Sequence, residues 1–231
     1  MRLLNPALWK KISSYRRRFL QARPFRYVVI PQAFHPAPLR RMRAYAENHL
    51  SLQQGRGLVY KASYRPMTFS SGSPFIRRWL GAFYREAIPF VESLTRKRFS
   101  RLGFPCTFYV YQGSDRLKLH TDNRLSRALA FVIHLSNLAA GEGGGLLLLK
   151  PGGGRHFTIA KRIPHKFNTL ILFEIGPRSF HRMEPLRTEQ KRLTVSGWFL
   201  HPDHDRVFLR RLKRLKRASM RRQKLHVHSA H

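Results

Sequence analysis

The chain has 231 residues, 42% of them apolar, enough for one domain with a sizeable core and embellished ends. Lys and Arg number 45 against 11 Asp and Glu; this formal charge of +34 leaves the fold open but favours anionic partners such as nucleic acid, lipid headgroups or acidic substrates. The single cysteine, Cys106, excludes an internal disulfide, no apolar run reaches the roughly 18 residues of a membrane span, and residues 1–20 are too charged for a secretory signal, so a cytoplasmic location is expected.

In chain order, residues 1–22 read as a basic amphipathic helix. Leu4, Leu8, Ile12, Tyr15 and Phe19 recur at helical spacing between Lys10, Lys11, Arg16, Arg17 and Arg18. Such a helix packs on a domain's flank or lies on an anionic membrane surface. Residues 26–31 (RYVVIP) read as a strand and 36–50 as a helix. No motif stands out over 52–73. Residues 74–99 have a helical period that Pro89 is expected to split or kink.

From Cys106 the pattern becomes β-rich: 107–111, 128–135, 146–149, 157–160, 169–173 and 192–200 are short strand-like runs punctuated by Gly, Pro, Asn and Asp. Many strands without intervening helices point to a mainly β fold with flanking helices, a sandwich, jelly roll or barrel. The expected organisation is one domain over 1–205, helical over 1–105 and β over about 106–205. A basic helix and tail follow over 206–231, with Val207, Phe208, Leu209, Leu212 and Leu215 on its apolar edge.

The sharpest chemical feature is His120-Thr121-Asp122 with His181 far downstream. Residues i and i+2 of an extended segment point the same way, so His120 and Asp122 can reach one ion. A third imidazole completes a two-histidine, one-carboxylate face that leaves positions open on ferrous iron. The absence of paired cysteines argues against structural zinc. His201-Pro202-Asp203 has the same spacing but no strand-borne histidine after it.

The order of elements around these residues resembles the prolyl-4-hydroxylase-like branch of the Fe(II)/2-oxoglutarate-dependent oxygenases over roughly 107–200. Tyr111-Gln112-Gly113 precedes the metal motif; Arg127 leads into ALAFVIHLSN; Gly143-Gly144-Gly145-Leu146 resembles the family's Gly-Gly turn; TLILF precedes His181; Arg192 opens RLTVSGWF. The resemblance implies a double-stranded β-helix, or jelly-roll, core. It also implies Fe(II) on His120, Asp122 and His181, with 2-oxoglutarate as co-substrate, O2 as oxidant and ascorbate as an optional accessory. Arg192 would pair with the far carboxylate of 2-oxoglutarate, its planar fork suiting a bidentate contact. Ser196, on the same strand face, could donate to that carboxylate. Tyr111 lines the co-substrate pocket or is a strand aromatic. His134 stands where some relatives have a carboxylate-binding tyrosine, and it binds or packs in the core. Arg127 faces the pocket mouth or is structural, and Trp198 reads as core.

The resemblance implies a dioxygenase that couples oxidation of 2-oxoglutarate to hydroxylation of a primary substrate, which the sequence does not identify. Three readings follow. The first is hydroxylation of a peptidyl residue such as proline. The second, which the charge favours, is an anionic small molecule, lipid-linked sugar or nucleic acid. The third is a non-catalytic basic binding protein that keeps the fold.

Overall fold

The computed structural model describes residues 1–69, 73–102, 105–124, 126–153 and 156–205. The basic helix expected over 206–231 lies outside the described residues. Two antiparallel sheets face each other. The larger runs β1 (Tyr27–Pro31), β9 (Thr169–Glu174), β6 (Arg127–His134), β11 (Arg192–Leu200), β4 (Cys106–Tyr111), β3 (Tyr60–Met67), β2 (Gln53–Arg56), with β5 (Arg116–Leu117) also on β3. The smaller is β10 (His181–Met183), β7 (Leu146–Pro151), β8 (Phe157–Ile163), with the outer side of β8 unpaired among the described residues. This is the jelly-roll architecture that the resemblance implies, one of the three that the strand pattern allows.

Alternation assigns the two faces of the large sheet. On β11, Leu193, Val195 and Phe199 point into the main core, as do Phe108 and Val110 of β4 and Leu129, Phe131 and Ile133 of β6. The helices cover this face. In α4 (Pro74–Thr95), Trp79, Phe83 and Phe90 are fully buried, and the Phe83 ring lies 5.2 Å from that of Phe131. The opposite face meets the small sheet around Ala130, Leu146, Leu148, Ile171 and Phe173. That interior holds the site.

The part before residue 106 is not purely helical. It contributes β1 to one side of the large sheet and β2 and β3 to the other, and both latter strands fall in the stretch that showed no motif. The first 22 residues form two helices, α1 (Ala7–Lys10) and α2 (Ile12–Gln21), parted at Lys11, whose φ of −104° leaves the helical range. Leu4 lies before them in a bridge with Phe34, and the Glu86 carboxylate accepts the Leu3 and Leu4 N–H groups. Leu8, Tyr15 and Phe19 are buried, so the apolar edge of this segment belongs to the domain. Pro89 does not split α4: the helix runs unbroken through it, with Phe90, Val91 and Leu94 all packed into the core beyond. A proline costs a helix one N–H bond, and burial on this scale offsets that loss.

Gly197 is where β11 crosses most closely over its neighbours. A Cβ there would stand 1.9 Å from the Pro105 carbonyl oxygen and 2.8 Å from the Phe131 ring. We therefore expect Gly197→Ala to lower folding stability by about 1–3 kcal/mol or more, the usual cost of overpacking a core. Urea denaturation measures it, and an unchanged midpoint would show that the crossing is looser than drawn.

Candidate metal centre

His120 follows β5 and His181 opens β10. Their backbones face each other as an isolated antiparallel pair: His120 N–H donates to the His181 carbonyl (3.1 Å) and His181 N–H to that of His120 (3.0 Å). The two imidazoles stand 4.2 Å apart, centre to centre. Each is oriented the same way. Nδ1 of His120 meets the Lys118 carbonyl at 2.8 Å, and Nδ1 of His181 meets that of Ser179 at 3.0 Å. A carbonyl only accepts, so Nδ1 carries the proton and Nε2 offers its lone pair. Burial, together with the nearby His120, pushes His181 down to about 4, which keeps it neutral and able to ligate.

Asp122 lies between the two rings, Oδ1 3.7 Å from His120 Nε2 and Oδ2 3.7 Å from His181 Nε2. These separations exceed hydrogen-bond length. The three ligand atoms all lie within 4.8 Å of one another, the one such group among the described residues. Two Nε2 lone pairs and one carboxylate, converging without bonding each other, fit Fe(II) with open positions. Among the described residues His201 and Asp203 take no part in such a group.

The site opens into a cleft of about 380 Å³ between the sheets. Arg192, Thr194, Ser196 and Trp198 line it from alternate positions of β11, beside Tyr109 and Tyr111 of β4 and Ala130 and Val132 of β6. Arg192 is buried to 3% exposure. Its Nε donates to the Gly144 carbonyl at 2.7 Å and its guanidinium lies 5.2 Å from the centre of the Tyr111 ring. No carboxylate stands within ion-pair distance of it among the described residues. Burial lowers its pKa to about 10, so it stays charged at neutral pH. Burial raises the Tyr111 phenol, which therefore remains a donor. The Gly-Gly-Gly turn explains the Gly144 contact. Gly143 and Gly144 have φ of +76° and +69°, and a Cβ on Gly143 would fall 1.9 Å from the Pro185 carbonyl oxygen.

His134 is fully buried on the cleft-side face of β6, opposite Thr194, but behind the lining. Its ring lies 4.0 Å from that of His165, which the sequence reading passed over. His165 Nε2 meets Ser136 Oγ at 2.9 Å, and that hydroxyl also faces the Lys191 carbonyl at 3.1 Å. Neither His134 nitrogen makes a hydrogen bond of ordinary geometry.

Two assignments change. Trp198, read as core, packs on the inner apolar cluster but also lines the cleft and donates from Nε1 to Asp122 Oδ2 at 2.9 Å. Arg127, left open between mouth and structure, donates to Asp122 Oδ1 at 3.2 Å and lies 3.4 Å from the centre of the Trp198 ring. Thr194, Tyr109 and Tyr60 were missed as lining residues. For Thr194 the alternation from Arg192 was signal enough.

Burial holds His134 and His165 well below the usual 6.5, helped for both by the Arg192 charge, and His181 near 4. The folded state binds these protons less readily than the unfolded chain. Stability present above pH 6.5 is therefore lost as the pH falls through the folded-state values. Urea midpoints measured from neutral pH down to about 4 should decline, and His134→Leu should shallow that slope. A midpoint independent of pH over this window would count against buried neutral imidazoles.

Residues 106–200 match the family model described as the 2OG-Fe(II) oxygenase superfamily. The chain is 27% identical over 143 residues to prolyl 3-hydroxylase sudestada1 of Drosophila melanogaster, covering 58% of this chain and 26% of that protein. It is 35% identical over 97 residues to prolyl 3-hydroxylase OGFOD1 of Xenopus laevis, covering 41% and 19%. It thus spans about a quarter or less of these relatives. In fold it is similar to a Trichoplax adhaerens prolyl hydroxylase solved with a hypoxia-inducible-factor peptide, with a TM-score of 0.64, 16% identity, and coverage of 87% of this chain and 95% of that one.

Proposed function

We propose, from the premise that residues 106–200 belong to the 2OG-Fe(II) oxygenase superfamily, that this chain is a 2-oxoglutarate-dependent hydroxylase acting on a peptidyl residue, with proline the best fit. The observation that carries the reading is Arg192: a buried guanidinium without a carboxylate partner among the described residues, opening into the cleft that holds His120, Asp122 and His181. A buried charge is costly unless paired. An anionic ligand reaching from the metal ligands to Arg192 supplies the pair.

His120, Asp122 and His181 would hold Fe(II). When bound, the metal and O2 supply the oxidising power that converts 2-oxoglutarate to succinate and carbon dioxide while a substrate C–H becomes C–OH. The residues of the chain do the positioning. Lys118 and Ser179 carbonyls keep both Nε2 lone pairs available. Arg192 takes the far carboxylate, Tyr111 offers a hydroxyl beside it, Ser196 offers one farther along β11, and His134 is a further candidate contact behind Thr194. Ala130, Val132, Leu146 and Phe173 give the cleft apolar walls, and the 3% exposure of Arg192 strengthens its ion pair relative to water.

The peptidyl reading rests on the prolyl hydroxylases among the similar proteins and on the aromatic lining of the cleft by Tyr60, Tyr109 and Trp198, which suits an apolar pyrrolidine ring. No helix among the described residues is long and apolar enough to cross a membrane. One observation favours an anionic substrate instead: Arg124 also lines the cleft and has no acidic partner among the described residues.

Full-length protein supplied with Fe(II) should release succinate from 2-oxoglutarate in an iron-dependent manner, even without the primary substrate. His181→Ala should abolish this. Arg192→Ala should raise the 2-oxoglutarate requirement roughly a hundredfold, the scale for losing one partner of a buried charge pair. Wild-type turnover in a metal-replete His181→Ala protein would sink the assignment.

A further inference from the structure

Asp122 is contacted by more than a metal ligand needs. Each of its oxygens already receives one donor from β6 or β11: Arg127 Nη1 on Oδ1 at 3.2 Å, and Trp198 Nε1 on Oδ2 at 2.9 Å. The donors brace each other, since the guanidinium lies 3.4 Å from the centre of the indole ring. All three groups are partly or largely withdrawn from solvent, with Asp122 at 12% and Arg127 at 20% side-chain exposure. Backbone pairing fixes where both donors start: Trp198 is opposite Ala130 and its N–H binds the Pro105 carbonyl, while Arg127 begins β6 opposite Leu200.

An ionised carboxylate has about four lone-pair sites. Two are used here, one on each oxygen and each by a donor from a different strand, so the carboxylate cannot rotate about its Cβ–Cγ bond without breaking one of them. The two histidines are oriented by backbone carbonyls. Asp122 lies in an irregular segment that offers no comparable backbone restraint.

We propose that Trp198 and Arg127 are positioning residues that lock the plane of the Asp122 carboxylate, and that the indole N–H is the larger contributor to divalent-metal affinity. The inference rests on the iron-site reading above and adds the element that fixes its one carboxylate. Trp198 gives a directed neutral bond. Arg127 also places a positive charge against the metal ligand, which opposes cation binding while it orients, so the two contributions differ in kind.

The test replaces Trp198 in the full chain with benzothienylalanine, which keeps the ring shape and substitutes sulfur for the N–H. Co(II) is the probe, read by its visible absorption. Loss of the donor should weaken Co(II) binding about 10- to 100-fold, the range for removing a partner that orients a metal ligand. It should also alter the absorption spectrum and leave the 2-oxoglutarate KM at saturating metal unchanged. A residue that merely walled the cleft would leave affinity and spectrum as they are in the wild type, because the ring shape is kept. Arg127→Lys, which keeps the charge but loses the planar fork, should change the spectrum with a smaller effect on affinity. Unaltered affinity and spectrum in the benzothienylalanine protein would overturn the proposal. Co(II) binding that is already the same in wild type and Asp122→Ala would instead overturn the iron-site reading beneath it.

Discussion

Two backbone hydrogen bonds, exchanged between His120 and His181, hold together everything else the site does. Each residue is both donor and acceptor to the other, so the segment after β5 and the first residue of β10 are sewn into one short ladder. The imidazoles then face each other across it. The ring of each is set by the carbonyl two residues upstream, Lys118 for one and Ser179 for the other. The same local device, used twice and joined by one backbone pair, turns two distant stretches of chain into half of a chelating face. Asp122 completes it, two residues along from His120.

The second constraint is electrostatic. Arg192 is brought into the interior by β11, between Tyr111 on the neighbouring strand and the Gly144 carbonyl from the small sheet's approach. The glycine turn that provides this carbonyl cannot carry a Cβ at Gly143 without striking Pro185. Backbone geometry on one sheet thus sets the direction of a charge on the other. His134 and His165 lie neutral behind it, and each is held so partly by that charge. The result is a cleft with metal donors at one position and an uncompensated cation at another, lined between them by apolar and aromatic side chains.

Much of this was legible in the sequence because the β-rich half obeys alternation closely. The strands over 107–111, 128–135 and 192–200 carry apolar residues in strict register with the core. The same alternation puts Arg192 on the cleft side, while the i, i+2 spacing of His120 and Asp122 brings those two together in the segment after β5. What escaped is instructive. β2 and β3 carry Gln53, Gln54, Lys61 and Arg65 and so lack the apolar alternation that marks a strand in the sequence. β10 spans only three residues, too short for any period. Pro89 was overruled by packing that no local rule contains. Trp198 packs on the inner core as its residue type suggested, but its distance from Arg192, an even number of positions on one strand, also assigned it to the cleft. His165 lies in a loop, where no periodicity speaks, and only the tertiary fold brings it to His134.

The outer edge of β8, unpaired among the described residues, gives the chain's charge a second meaning. From Thr158 to Arg162 this strand is exposed, and Ile159, nearly half accessible, sits among its unpaired backbone groups. Such an edge is a template on which another molecule's strand can add. Lys161 stands on it beside Arg162, which is paired with Glu184, and any second copy approaching would bring the same net positive charge. Like-charge repulsion between molecules therefore protects the folded protein from edge-to-edge association, and it does so most at low ionic strength.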